Sequence, residues 1–164
     1  KRINAPVTAS GATWAPNTIT YSGNNRTHMI RVPGSGRFEL RLMDGATNPY
    51  LLQAGILAAG IDGIEKKRNP GKPIDVNMYE DGHKVKGAKK LPLTLEKALS
   101  HLDKNRVLKD AFSKETINSY IKLKNQEIKK YNSSNIKKIG FKGSKQSSKK
   151  NIVTQWEKDN TIDC

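Results

Sequence analysis

Between residues 37 and 42 the chain alternates charged and apolar positions without a break: Arg37, Phe38, Glu39, Leu40, Arg41, Leu42. In an extended strand successive side chains point to opposite faces. Phe38, Leu40 and Leu42 therefore share one face, while Arg37, Glu39 and Arg41 share the other. Residues 27–32 (THMIRV) read as a preceding strand, with Pro33, Gly34, Ser35 and Gly36 as the turn between the two. Upstream, NTITYS at 17–22 is a short β-branched strand, and Gly23-Asn24-Asn25 is a turn that delivers Arg26 from a loop. Beyond Asp44 the pattern becomes helical. Asn48 and Pro49 are an N-cap and a first helical residue, opening a helix over about 49–67. Leu51, Leu52, Ile56, Leu57, Ile61 and Ile64 make it apolar on more than one side, which predicts a buried core helix backing the sheet. Gly55, Gly60 and Gly63 permit close approach along it. Lys66, Lys67 and Arg68 are expected in its last turn, and Asn69-Pro70-Gly71 ends it. Residues 73–92 read as irregular. Thr94 caps a helix at 95–102, a second spans about 104–111, and Ser113 starts a longer one ending near Tyr131. In that last helix Ile117, Tyr120, Ile121, Lys124, Ile128 and Tyr131 trace a packing stripe. The expected class is α+β, a curved antiparallel sheet with strands at about 17–42, backed by helices at 49–67 and 94–131.

Charge changes this picture little. The 164 residues are 35% hydrophobic and carry a formal charge of +15, which invites a nucleic-acid or anionic-surface reading. The charge is uneven, however. Residues 122–150 hold ten lysines against the single Glu127, a net +9 of that total, with only Tyr131 and Phe141 interleaved. No zinc-finger or RNA-recognition signature accompanies them, so a solvated lysine-rich surface is the better account. We expect neither nucleic-acid nor membrane binding. Residues 132–151 are low-complexity Ser, Lys, Gly and Asn, and their composition predicts a flexible insertion. The lone Cys164 has no intramolecular disulfide partner, which is compatible with a reducing compartment. The most apolar run, about a dozen residues at 50–61, is short of the roughly 20 that span a bilayer.

The ladder itself has two readings. A solvated face on a two-sided sheet is the ordinary meaning of alternation. Against it, the charges here are mostly Arg, whose planar fork suits carboxylates and phosphates, whereas the rest of the basic surface is Lys. A hairpin gathers Arg26, Arg31, Arg37 and Arg41 around Glu39, an acid able to take a divalent cation beside a phosphate. His28, His83 and His101 are isolated from any ligand cluster.

Taken in order, Asn25-Arg26-Thr27, Arg31-Val32-Pro33, Phe38-Glu39-Leu40-Arg41, Asn48-Pro49-Tyr50, Asp62-Gly63-Ile64 and the segment ending at Tyr79 resemble the C-terminal half of the glutamine synthetase catalytic domain. SGATWAPNTITYSGNNRTH and the ending TQWEKDNTIDC look most like the branch of γ-glutamylmethylamide synthetases and the so-called type III enzymes. The resemblance covers nearly the whole chain apart from the lysine-rich insertion. It implies the C-terminal part of a catalytic domain over 1–131, the insertion at 132–151, and a tail at 152–164 in which Trp156 docks back. Lys1 falls inside an Asn-Ser-Tyr-Lys-Arg segment of the family, so the resemblance implies a C-terminal portion, inactive alone, whose other metal ligands lie upstream.

By the same resemblance the whole enzyme joins L-glutamate to ammonia or methylamine through a γ-glutamyl phosphate. It uses ATP with Mg²⁺ or Mn²⁺, in a cytoplasmic ring-shaped homo-oligomer with active sites between subunits. Arg2 and Arg41 bind glutamate carboxylates, Arg26 contacts the transferring phosphoryl group, Arg31 and Arg37 neutralise ATP phosphates, and Glu39 is a metal ligand. Ala15-Pro16 matches the family's flap. Trp14 stands where better-known bacterial enzymes have a Glu, so it either lines an amine pocket with apolar surface or only packs the flap. Tyr79 aligns with a tyrosine adenylylated in some bacterial enzymes, but Glu80-Asp81-Gly82 departs from that pattern and modification is not expected.

Overall fold

A computed structural model of the chain describes residues 16–45, 47–134, Trp156 and 159–160. They fall into two compact units. The first comprises 16–45 with 71–91, and the second comprises 47–70 with 92–134 and the described tail residues.

The first unit holds a three-stranded sheet in the order β1-β2-β3, with β1 at Tyr21–Ser22, β2 at Ile30–Gly34 and β3 at Arg37–Leu40. β2 and β3 form the expected antiparallel hairpin, in which Arg31 faces Glu39 and Gly34 faces Arg37, with an irregularity between Arg31 and Gly34. The connection is Ser35-Gly36, tighter than the four-residue turn expected. Gly36 stands at φ +77, the left-handed region that a residue without Cβ occupies at low cost. β1 departs from the sequence expectation: it is two residues long and pairs parallel with β2, Tyr21 against Ile30 and Ser22 against Arg31. The β-branched run before it is used elsewhere. Thr18 bridges antiparallel to Lys90, the Ile19 amide donates to the Lys89 carbonyl, and the Leu91 amide donates to Asn17. Alternation along this run is visible in burial, with Thr18, Thr20 and Ser22 inside and Ile19 out. Segment 71–91 is irregular as expected, with one 3₁₀ turn at Gly82–Lys84. It packs Met78 and Leu91 into the unit's interior.

The second unit is helical. α1 (Pro49–Glu65) is entered as predicted: the Asn48 side chain accepts from the Tyr50 and Leu51 amides, and Pro49 is the first helical residue. Its other end corrects the expectation. The helix stops at Glu65, with Lys67 at φ +48, so no basic residue lies in the last turn. Lys66 and Arg68 instead pair with Asp62, one turn back, and hold its carboxyl below the ordinary range, chiefly through the Lys66 hydrogen bond. The expected burial of α1 is also overturned. None of its residues is buried, and Tyr50 and Ile64 are 82% and 79% exposed. The helix packs on α3 along one stripe, where Gly55 approaches Leu108 and Phe112, while Gly60 and Gly63 face open space. A helix apolar all round needs partners on every side, and α3 covers one.

α2 (Leu95–Lys104) is capped by Thr94, α3 (Arg106–Phe112) by Asn105 and α4 (Lys114–Ser133) by Ser113. α4 packs against both α2 and α3. The buried residues are Leu99 and Ile117, and the predicted stripe on α4 is its covered side. Trp156 meets Tyr131 edge to face, with centroids 5.5 Å apart.

Candidate active site

The hairpin brings Arg31, Glu39 and Arg41 onto one face, as the period-two pattern requires. Arg31 Nη1 donates to Glu39 Oε2 at 2.7 Å, and Arg41 Nη1 donates to Oε1 at 3.2 Å. One carboxylate thus engages two guanidiniums, one through each oxygen. The two arginine side chains are largely covered, at 16% and 9% exposed, while Glu39 is 45% exposed. The hydrogen bond from Arg31 holds the Glu39 carboxyl below its ordinary value, with the charges of Arg41, Arg31 and Arg26 adding to the effect. Arg26 is therefore near enough to be felt.

The expected fourfold gathering is only partly present. Arg37 sits beside the hairpin tip opposite Gly34 and is exposed. The structure brings Arg31 and Arg41 to Glu39, with Arg26 close by. Arg2 and Trp14 lie outside the described residues, as does the insertion from 135 onward. The opposite face carries the apolar residues, with Phe38 64% exposed.

Asn24 was read in the sequence only as a turn residue, yet it fixes Arg31. Its Oδ1 accepts from Arg31 Nε at 2.9 Å and from Nη2. With Nη1 on Glu39, the guanidinium is gripped on three nitrogens before any ligand arrives. Such fixed positive charge favours an anion without reorganisation. Nothing in spacing alone announces this pairing, because Asn24 and Arg31 come together only through the turn at 23–29.

Around Arg26 lies a second feature that the sequence did not reveal. Asn25, Thr27 and His28 all turn into the unit. Asn25 Nδ2 donates to the Val76 carbonyl at 3.0 Å, and its Oδ1 accepts from both the amide and the hydroxyl of Thr27. Thr27 Oγ1 in turn accepts from the Met78 amide at 3.0 Å. His28 is fully buried. Its Nε2 meets the Val76 carbonyl at 3.0 Å, and Nδ1 meets Thr20 Oγ1 at 2.9 Å. A carbonyl only accepts, so Nε2 carries the proton and Nδ1 accepts from Thr20 in the neutral ring. Burial pushes the imidazole below its ordinary 6.5, against upward pulls from the Val76 carbonyl and the Asp75 charge.

The donor set bears on a metal. Mg²⁺ and Mn²⁺ want several hard oxygen ligands, and among the described residues no group of three or more His, Cys, Asp or Glu converges. Glu39 by itself supplies one ligand at most, and both its oxygens already accept from arginine. The positive charge of Arg26, Arg31 and Arg41 outweighs the single Glu39, an arrangement able to attract an anion, and these residues do not by themselves make a cation site.

Comparison with known proteins identifies the family. The family model for the glutamine synthetase catalytic domain matches residues 8–142. The chain belongs to that family. It is 52% identical over 163 residues to a glutamine synthetase of Rhizobium leguminosarum bv. phaseoli, covering 99% of this chain and 33% of that protein. It is 42% identical over 134 residues to a glutamate–methylamine ligase of Methyloversatilis universalis, covering 80% of this chain and 30% of that one. A solved GmaS–ADP complex aligns over 100% of this chain and 34% of its own, at TM-score 0.74 and 48% identity. The chain therefore spans about a third of the relatives it matches. The resemblance to the glutamylmethylamide-synthetase branch stands with these neighbours, and so does the α+β class.

Proposed function

We propose that this chain is a portion of an ATP-dependent ligase that joins L-glutamate to ammonia or methylamine through γ-glutamyl phosphate. The observation that carries the reading is the preset pair Arg31 and Arg41 on Glu39, in a chain of the glutamine synthetase family. Bringing a carboxylate nucleophile against a triphosphate needs positive charge fixed beforehand. A glutamate side-chain oxygen attacks the γ-phosphorus and ADP leaves; the amine nitrogen then attacks the acyl carbon, phosphate leaves, and the nitrogen gives up one proton, which the departing phosphate can take.

In this reading Arg41 and Arg2 hold glutamate, Arg26 meets the transferring phosphoryl group, and Arg31 and Arg37 neutralise ATP phosphates. Glu39 contributes one oxygen to a Mg²⁺ or Mn²⁺ whose other donors lie outside the described residues. The setting is a cytoplasmic homo-oligomer with sites shared between subunits. Both a glutamine synthetase and a glutamate–methylamine ligase are among the relatives, so both amines are substrates to test. No helix among the described residues is long and apolar enough to cross a membrane.

The test is ADP release from an enzyme of the relatives' full length carrying this chain, with glutamate and either amine. Turnover is expected with the parent enzyme and is expected to be lost in Glu39→Ala and Arg41→Ala. Deletion of 135–150 is expected to be tolerated, and the isolated chain to be inactive. Retained turnover in both point variants, or ligation by the isolated chain, refutes the assignment.

A further inference from the structure

We propose that Asn25, Thr27 and His28 are positioning residues, a buried clamp through which the strap at Val76–Met78 sets the phosphoryl-facing Arg26 and the backbone of Arg41. The proposal rests on the functional reading above for the role of the two arginines and adds the means by which they are held.

The argument begins with four consecutive residues. Of Asn25, Arg26, Thr27 and His28, only Arg26 is exposed; Thr27 and His28 are buried and Asn25 is half-buried. The three inward side chains spend their hydrogen bonds on one short target. Val76 O accepts from Asn25 and His28, and the Met78 amide donates to Thr27. Arg26 is thus pinned on both flanks by groups some fifty residues away in sequence. The clamp continues into the sheet. Directly after His28, the Met29 carbonyl accepts from the Arg41 amide at 2.8 Å, so the same loop end holds the backbone of the second arginine. On the far side Thr20 closes the network on His28, and the Tyr21 carbonyl accepts from the Ile74 amide at 3.0 Å.

An apolar plug here would serve burial alone. A fully satisfied polar network does something different, because each bond has a direction and a partner, and the arrangement is unique. Directional fixing matters where an arginine must meet a charge that develops during reaction, since misplacement by about 1 Å can cost on the order of a hundredfold in rate. Among the described residues the charge felt at His28 is that of Asp75, which directly precedes the strap.

The test uses Thr27→Val and Thr27→Ser in the full-length enzyme. Valine keeps the shape and removes the hydroxyl; serine keeps the hydroxyl. Expected is a kcat fall of about tenfold to a hundredfold in Thr27→Val, with KM for ATP and glutamate moved by less than about twofold. Thr27→Ser is expected to recover most of that loss. Active-site titration and circular dichroism report the folded fraction, which a purely structural role would lower in step with rate. A folded Thr27→Val enzyme with parental kcat, or a loss explained by unfolded protein, overturns the clamp.

Hydrogen exchange gives a reading independent of activity. Thr27→Val is expected to speed exchange of both the Met78 and the Arg41 amides, by about tenfold. Faster exchange at Met78 with the Arg41 amide unchanged defeats the proposal. If the parent enzyme lacks ligase activity while both amides respond, the clamp survives as a positioning device and the functional assignment alone fails.

Discussion

Thr27→Val is also the substitution whose energetic cost can be worked most directly. Thr27 and Met78 are 2% and 4% exposed, so water cannot replace what is removed. The Met78 amide loses its acceptor and becomes a buried donor without a partner, at about 1–3 kcal/mol. The bond from Thr27 Oγ1 to Asn25 Oδ1, 2.8 Å long, is lost too. Asn25 Oδ1 keeps the Thr27 amide at 3.0 Å and is not orphaned, so this second loss is about 1 kcal/mol. Against both, a methyl replaces a hydroxyl and gains about 0.8 kcal/mol of burial. The balance is a destabilisation of about 2 kcal/mol, local to the clamp. Thr27→Ser keeps both hydroxyl bonds and loses one methyl, about 0.8 kcal/mol. The order is the reverse of what hydrophobicity alone predicts. Native-state exchange at the Met78 and Ile30 amides as a function of urea measures it. Valine equal to or better than serine would refute the reasoning, because the network would then contribute nothing beyond its volume.

Three further outcomes follow from the structure. Ser113 stands at φ +69, ψ 149, a region close to glycine-only that costs a side chain about 1–3 kcal/mol. Ser113→Gly gives up a few tenths through the lost cap on the Thr116 amide and some unfolded-state entropy. It is expected to stabilise by about 1 kcal/mol in thermal melting, whereas Ser113→Ala destabilises. On the acid side, the folded His28 binds its proton below 6.5, so the unfolded chain protonates first as pH falls. Stability drops from about pH 6.5 down to the folded value and is level beneath it; His28→Gln is expected to remove that stage, as urea titrations at stepped pH will show. Glu39 has the same slope in a lower window: its stabilising pair with Arg31 is complete above 4.5 and is lost as pH falls through its lower folded value. Glu39→Gln is expected to flatten that limb.

The ladder residues were legible in the sequence for a simple reason. A period of two fixes which side chains share a face, so Glu39 and Arg41 had to lie together once residues 37–40 became a strand. Caps were equally local: Asn48, Thr94 and Ser113 act within three residues of themselves. The place of Arg37 was less legible, because the turn contracted to Ser35-Gly36 and set that residue at the hairpin tip opposite Gly34. The burial of α1 failed because its composition states an apolar demand, while only packing states how much of it is met.

What the sequence by itself determined is the set of short-range rules: strand faces, helix starts and an ordered run of motifs that marks a glutamine synthetase catalytic domain. Tertiary structure alone decided which distant groups meet. The Asn24 grip on Arg31 runs through a turn, and the clamp joins residues 48 to 51 positions apart. Hydrogen bonds reach about 3 Å, and no periodicity within a segment records which other segment will arrive at that distance.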